Sequence, residues 1–315
     1  MIPAIEAHGH RGARGLRPEN TLPSFAHAIE VGVDALELDV TLTADGAVVA
    51  THDAHISPFT CRDTAPHEPG DPRFPYVGRP VSQLTLGQVA TLDCGMTLPG
   101  GEPDRFAHTQ VPVPGARMPT LAEVADLLLR YDARTVRLTI EAKTDPTAEC
   151  PSPDPAELAG RVAEVLAAYD LTGRVTVQSF DWRVLPHAAR AMPEAIRAAL
   201  ADPATTGPGS PWLAGADPSA RGDGPAGLVA AAAGIGAHRL APEHTMVDAD
   251  LVAAARARAM PVVVWTVNDP AEMHALIAAG VDGVITDYPD RLRAVMAARG
   301  MPLPPSYPDP YLTAV

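Results

Sequence analysis

The stretch "ALELDVTLTADGAVVATH", residues 35–52, decides the fold. It holds two extended segments, Ala35–Val40 and Val48–His52, joined by "TLTADGA". A parallel crossover needs a dozen residues or more, so this pair reads as an antiparallel hairpin with "ADG" as its turn. Folding about Ala44–Asp45 would set His52 opposite Glu37. Working outward, further extended segments fall at Ala7–Arg11, Arg137–Glu141, Val175–Ser179, Ile196–Leu200, Gly236–Leu240, Val262–Val267 and Gly283–Thr286. Ala/Leu-rich stretches of helical spacing separate most of them. In the first, Leu22, Phe25, Ala26 and Ile29 share a face, Asn20 or Thr21 can cap it, and Gly32 ends it. Setting the hairpin arm Val48–His52 aside leaves eight parallel strands alternating with helices. The expectation is an α/β fold, a (β/α)8 TIM barrel.

The totals agree with one large domain. A 315-residue chain that is 46% hydrophobic can bury a full core, whether as one barrel or as two ordinary domains. We take residues 1–300 as one barrel domain and 301–315 as a proline-rich surface tail. Two stretches interrupt the rhythm: residues 53–118, a Pro/Gly-rich insertion over the barrel mouth with a helical patch at Thr85–Leu92, and the loop 202–225, a candidate lid. Trp212 in that loop is a candidate contact for a bound molecule, against packing on the barrel wall.

A formal charge of −14 with no Lys/Arg run argues against nucleic acid as a partner. No apolar run approaches the roughly 20 residues of a membrane span, and "MIPAIEAHGHRG" lacks the layout of a secretory signal. The chain therefore reads as cytoplasmic, or as exported if Met1 is not its natural start. Cys61, Cys94 and Cys150 have no zinc-like spacing. Cys61 and Cys94 could pair in an exported protein; three free thiols is the alternative.

Residues two apart on a strand face the same way. Three strands carry polar pairs near their C-terminal ends: His8 and His10, Glu37 and Asp39, Glu141 and Lys143. In a parallel barrel those ends form the mouth, where active sites are built. Carboxylates facing inward there need partners, because desolvating an unpaired one costs several kcal/mol. Glu37, Asp39 and Glu141 converging near His10, Arg11, His52 and Lys143 call for a cation, and an oxygen-only donor set suits a hard one, Ca²⁺ or Mg²⁺.

The run "HRGARGLRPENTLPSFAHAIEVGVDALELDVTLTADGAVVATHD" resembles the opening of bacterial glycerophosphodiester phosphodiesterases, with HRG, PENT, E-x-D-V, T-x-DG and HD in order. "LTIEAK", "VTVQSF", "VVVWTVND" and "GVDGVITDYPD" look like the family's later strands, so the likeness covers nearly all of residues 7–293. It implies metal-dependent hydrolysis of glycerophosphodiesters, such as glycerophosphocholine or glycerophosphoethanolamine, to sn-glycerol 3-phosphate and an alcohol. Carried over, His10 and His52 match the catalytic histidines, and Glu37, Asp39 and Glu141 the ligands of one divalent metal. Arg11 and Lys143 match the phosphate-holding groups. The resemblance favours attack by the substrate's own 2-hydroxyl, giving a cyclic phosphate, over direct attack by water.

Chemistry supports those roles. The charge on a phosphodiester repels nucleophiles until cations neutralise it, and two imidazoles can exchange the protons of attacker and leaving group. Gln178, Phe180 and Trp265 are expected at the pocket border. His8 reads as structural, Asn20 as a helix cap and Glu19 as a brace for Arg11, with His55 and His244 as weaker candidates near the site. Two alternatives stand beside this reading: a phospholipase D-like enzyme acting on lysolipids or sphingolipids, which needs an apolar acyl groove, and a non-catalytic phosphate-binding barrel.

Overall fold

A computed structural model describes residues 5–96, 106–147, 152–222 and 224–310. Cys150, residues 97–105 of the insertion and residues 311–315 of the tail lie outside these. The strands are β1 (Glu6–Gly9), β2 (Ala35–Leu42), β3 (Val48–Ala50), β4 (Arg137–Ala142), β5 (Val175–Ser179), β6 (Ile196–Ala201), β7 (Arg239–Pro242), β8 (Val263–Val264) and β9 (Gly283–Thr286). The helices are α1 (Leu22–Val31), α2 (Leu86–Val89), α3 (Leu121–Arg130), α4 (Pro155–Ala168), α5 (Val184–Ala191), α6 (Gly224–Gly234), α7 (Ala249–Ala257), α8 (Pro270–Ala279) and α9 (Pro289–Ala298).

The parallel strands run in the order β7-β6-β5-β4-β2-β1-β9-β8. Parallel bridges Leu240–Val262 and Glu243–Trp265 bring β8 back to β7, which closes the ring. This is the expected (β/α)8 barrel, and β3 is the extra strand, antiparallel to β2. Several boundaries differ from expectation: β1 ends at Gly9 and not at Arg11, β3 at Ala50 and not at His52, and β7 and β8 are also shorter. β7 starts at Arg239 and not at Gly236, because Gly236 has φ +84° and finishes the turn after α6. β8 is only two residues long, since Trp265 N reaches Pro242 O while Val267 N turns to Ile285 O on the opposite neighbour.

Along β2 the period of two sorts the side chains. Leu36, Leu38, Val40 and Leu42 pack outward with Phe25, Ile29, Leu121 and Val124 of α1 and α3. Glu37 and Asp39 are left pointing into the barrel, both almost wholly buried. Helix α1 starts where Thr21 accepts from Ser24 N and ends at Gly32.

Residues 53–118 carry their own apolar cluster, including Ile56, Tyr76, Val81, Leu84, Leu92 and Met118. The Cys61–Cys94 disulfide lies within it. The chain leaves and re-enters the barrel at adjacent points: Ala50 N donates to Pro119 O at 2.8 Å, and Val49 bridges Thr120. On the mouth side, Val111 N donates to Leu16 O and Phe106 lies 6.2 Å from Tyr288, ring to ring. The tail folds back on the barrel wall, where Tyr307 N reaches Ile29 O and its hydroxyl meets Thr135. No helix among the described residues is long and apolar enough to cross a membrane.

Candidate active site

The strand register builds the site. β2–β4 pairing sets Asp39 level with Glu141, and β4–β5 pairing sets Glu141 level with Gln178. One oxygen from each of Glu37, Asp39 and Glu141 lies within 4.8 Å of the others. A cleft enclosing about 510 Å³ of open space rises above them, lined among others by His10, Arg11, Glu37, His52, Glu141, Lys143, Gln178, Phe180 and Trp265. Nine of the ten residues expected at the site thus line it, and the tenth, Asp39, lies just beneath.

His52 is brought there by a slightly different hairpin. The observed register pairs Val40 with Ala50 and Thr41 with Val49, which places His52 one residue further along than opposite Glu37. The turn is the expected Ala44, Asp45 and Gly46, centred on Asp45: Thr43 N bonds Ala47 O, and Gly46 takes the left-handed conformation at φ +79°. His52 reaches the cleft from just beyond β3, one residue after Thr51, whose N donates to Asp39 O at 3.0 Å. Its Nδ1 meets Asp53 Oδ1 at 2.8 Å.

The loop after β1 is tightly folded. Arg11 has φ +48°, a conformation that costs a non-glycine residue free energy. Gly12 follows at φ +87°, where an added Cβ would sit 2.5 Å from Ser24 Oγ. This folding turns Arg11 N onto Glu37 Oε2 at 2.9 Å. The Arg11 guanidinium spans Glu19 at 2.7 Å and Asp39 at 3.1 Å. Glu19 braces Arg11 as expected and also takes Arg14.

Cations and carboxylates do not balance here. Lys143 Nζ contacts Asp39 at 3.0 Å and Glu141 at 2.6 Å. Glu37 is left with hydrogen bonds from Arg11 N and, at 3.1 Å, from Gln178 Nε2. Burial, with the charges of Asp39 and Glu141, pushes Glu37 well above the usual carboxylate range. Burial likewise pushes Glu141 up to about 7 despite Lys143. Burial also works to raise Asp39, but Lys143 and then Arg11 override it and hold the group well below its ordinary value. Even so, Asp39 Oδ1 makes no hydrogen bond of proper geometry. Both imidazoles are shifted toward the neutral form, His10 by burial against the pull of Asp287, and His52 by the Lys143 charge and then burial. The arrangement can hold a divalent cation and present two imidazoles to a molecule in the cleft.

Several side chains behave differently from their sequence reading. Thr21 caps α1, while Asn20 donates to Asp39 Oδ2 at 2.9 Å and so orients an acid. Gln178 braces Glu37 as well as lining the cleft. Phe180 and Trp265 meet edge to face, 5.4 Å apart. His8 sits deeper, between Glu6 and Thr139. His55 and His244 are not among the cleft residues, and His244 pairs with Glu272. Trp212 does not line the cleft either; its carbonyl accepts from Trp182 N, and its neighbour Leu213 is buried in the core. Two residues without a sequence-based role stand directly behind His10: Asp287, whose Oδ1 is 2.6 Å from His10 Nδ1, and Asn268, which bonds Asp287. The available signal was that both follow strands at the same barrel end as the acids.

Comparison with known proteins agrees with this geometry. A family profile described as "Glycerophosphoryl diester phosphodiesterase family" matches residues 10–291. The chain is 29% identical over 287 residues to a glycerophosphodiester phosphodiesterase of Caldanaerobacter subterraneus subsp. tengcongensis, covering 90% of this chain and 94% of that protein. A solved Silicibacter pomeroyi protein, provisionally assigned as a glycerophosphoryl diester phosphodiesterase, superposes with a TM-score of 0.80 at 31% identity over 96% of each chain. An Oleispira antarctica phosphodiesterase, solved with its product sn-glycerol-3-phosphate, shares the fold at a TM-score of 0.68 and 22% identity, over 93% of this chain and 97% of its own. With the profile spanning nearly the whole barrel, the chain belongs to the glycerophosphoryl diester phosphodiesterase family, enzymes that hydrolyse glycerophosphodiesters.

Proposed function

We propose that the protein hydrolyses glycerophosphodiesters such as glycerophosphocholine or glycerophosphoethanolamine to sn-glycerol 3-phosphate and the free alcohol, using one divalent metal and two histidines. The observation that carries this reading is the convergence of three buried acids and two imidazoles on one cleft. Glu37, Asp39 and Glu141 would hold the ion. Their donors are all oxygens, which suits Ca²⁺ or Mg²⁺, and they carry more negative charge than Arg11 and Lys143 offset. Bound there, the ion would neutralise the phosphate and polarise its oxygens.

The chain's own residues supply the remaining chemistry. Arg11 and Lys143 border the cleft and hold the phosphate's charge. One imidazole takes the proton of the substrate 2-hydroxyl as its oxygen bonds phosphorus. The other gives a proton to the departing alcohol as the phosphorus–oxygen bond breaks, and water then opens the cyclic phosphate with the roles reversed. The edge-to-face pair of Phe180 and Trp265, with Leu200, gives the cleft a small apolar wall suited to a carbon skeleton, not to an acyl chain. Glycerol 3-phosphate release from both diesters, with and without EDTA, tests the reading. Turnover should vanish on exhaustive chelation and return with Ca²⁺ or Mg²⁺; undiminished turnover in chelator would overturn it. A substrate lacking the 2-hydroxyl should not be cleaved; cleavage at the normal rate would favour direct attack by water.

A further inference from the structure

We infer that Asn268 and Asp287 form a directional hydrogen-bond relay that fixes His10 as the tautomer protonated on Nδ1, leaving Nε2 to exchange protons in the cleft. The catalytic consequence rests on the acid–base reading of His10; the tautomer itself does not.

The relay is anchored by main-chain N–H groups, which can only donate. Tyr288 N donates to Thr286 Oγ1 at 3.1 Å, and that hydroxyl lies 3.2 Å from Asn268 Oδ1. Asp287 N donates to the same Asn268 Oδ1 at 3.0 Å. A backbone N–H can only donate, so Asp287 N fixes the amide's orientation, and the Thr286 hydroxyl then donates to the same oxygen. Asn268 Nδ2 must then donate to Asp287 Oδ2, which lies at 2.6 Å. Asp287 is fully buried, and its other oxygen meets His10 Nδ1 at 2.6 Å. A carboxylate can only accept, so Nδ1 carries the proton. On the far side of the ring, Nε2 is 3.9 Å from Glu37 Oε2, beyond hydrogen-bond reach. Neutral His10 therefore offers its lone pair at Nε2, and protonated His10 offers an N–H there.

The relay makes an unusual demand on substitution. In Asp287→Asn the new amide has one oxygen, which Asn268 Nδ2 claims. Its NH₂ must then face His10 Nδ1, forcing the ring into the opposite tautomer. Adding Asn268→Asp reverses the demand: the acid at 268 still accepts from Asp287's backbone position and Thr286, and it now accepts from the amide at 287 as well. That amide turns its oxygen back to His10, which restores the tautomer though not the charge.

Asp287→Asn should lower kcat by about 10³-fold or more, as tautomer reversal does in a serine-protease triad, with KM within about threefold. Asp287→Asn/Asn268→Asp should regain at least about tenfold of that loss. A purely structural role for the pair predicts the reverse, a double variant worse than the single one. Nitrogen NMR of histidine-labelled, metal-free wild-type protein reads the tautomer without activity or substitution and should show His10 protonated on Nδ1. Wild-type kcat in Asp287→Asn, no recovery in the double variant, or His10 protonated on Nε2 would overturn the inference. If His10→Ala retained full turnover, the acid–base reading would fall, while the NMR result would still decide the relay.

Discussion

The barrel buries ionisable groups at both ends, and the two ends settle them in opposite ways. At the floor, where the strands begin, Glu6 accepts from His8 at 3.0 Å, Arg137 at 2.7 Å and Arg239 at 2.6 Å, so a single acid serves three donors. Burial raises its pKa, but His8 and Arg239 prevail and hold it far below the usual range. At the mouth, Glu37, Asp39, Glu141 and Glu19 share Arg11, Arg14 and Lys143, and two of the acids are driven upward. The floor has the pattern of a stabilising network. The mouth leaves negative charge uncompensated, which costs stability unless a ligand supplies the missing cation.

The strongest way to break this contrast is at the imidazoles. His10→Ala and His52→Ala should each lower kcat by about 10²–10⁴-fold, equivalent to roughly 3–5 kcal/mol of transition-state stabilisation, with little change in melting temperature for the more exposed His52. A variant that melts early but turns over normally would move that histidine into the structural class. The floor should respond the other way. Glu6→Ala leaves Arg239 and Arg137 without their carboxylate and should cost about 1–3 kcal/mol in denaturant unfolding, less than a fully dry pair because Glu6 is partly exposed. Its kcat should stay within twofold of wild type.

Glu141→Gln sharpens the comparison further. Removing one of the crowded acids should stabilise the metal-free protein by about 0.5–2 kcal/mol while weakening its response to Ca²⁺ or Mg²⁺. Thermal melts with EDTA and with added metal measure both effects; loss of stability in EDTA would mean the mouth is as well satisfied as the floor. The smallest effect is in pH dependence. Metal-free folded protein keeps the Glu141 proton to about pH 7, whereas the unfolded chain releases it near 4.5. Between those values the folded state binds more protons, so the Glu141 contribution falls as pH rises. Glu6 acts oppositely: its depressed pKa gives stabilisation that is present above about 4.5 and is lost as pH falls below it. Melting curves in EDTA from pH 4 to 8 should therefore show Glu141→Gln flattening the decline on the neutral side only.

What the sequence disclosed follows the range of the forces involved. Glu37, Asp39 and Glu141 were legible because strand periodicity and strand ends are local facts. The exact level of His52 was not, since centring the turn on Asp45 and not between Ala44 and Asp45 shifts every pair in the hairpin by one residue. Asn20 read as a cap because its neighbours in sequence favour one, whereas its partner Asp39 is 19 residues away. Asp287 is 277 residues from His10, a separation that no pattern of spacing bridges. The pairing of Cys61 with Cys94 was open for the same reason and is settled by the apolar cluster that surrounds both.

The adjoining exit and re-entry points of the insertion carry an engineering consequence. The chain departs after β3 and returns at Pro119 within one backbone hydrogen bond of Ala50, so the barrel does not depend on what lies between for its closure. Asp53, which touches His52, belongs with the barrel; the stretch beyond it has its own covalent clasp and an apolar centre that it shares with Val49 of β3. We expect an exchange of residues 54–117 for the corresponding segment of another enzyme to leave the strands that set the acids in place, because the two ends to be joined already meet. Changes in this segment should then alter the rim of the cleft without moving the three acids, as in a tool whose head and handle are made in different workshops.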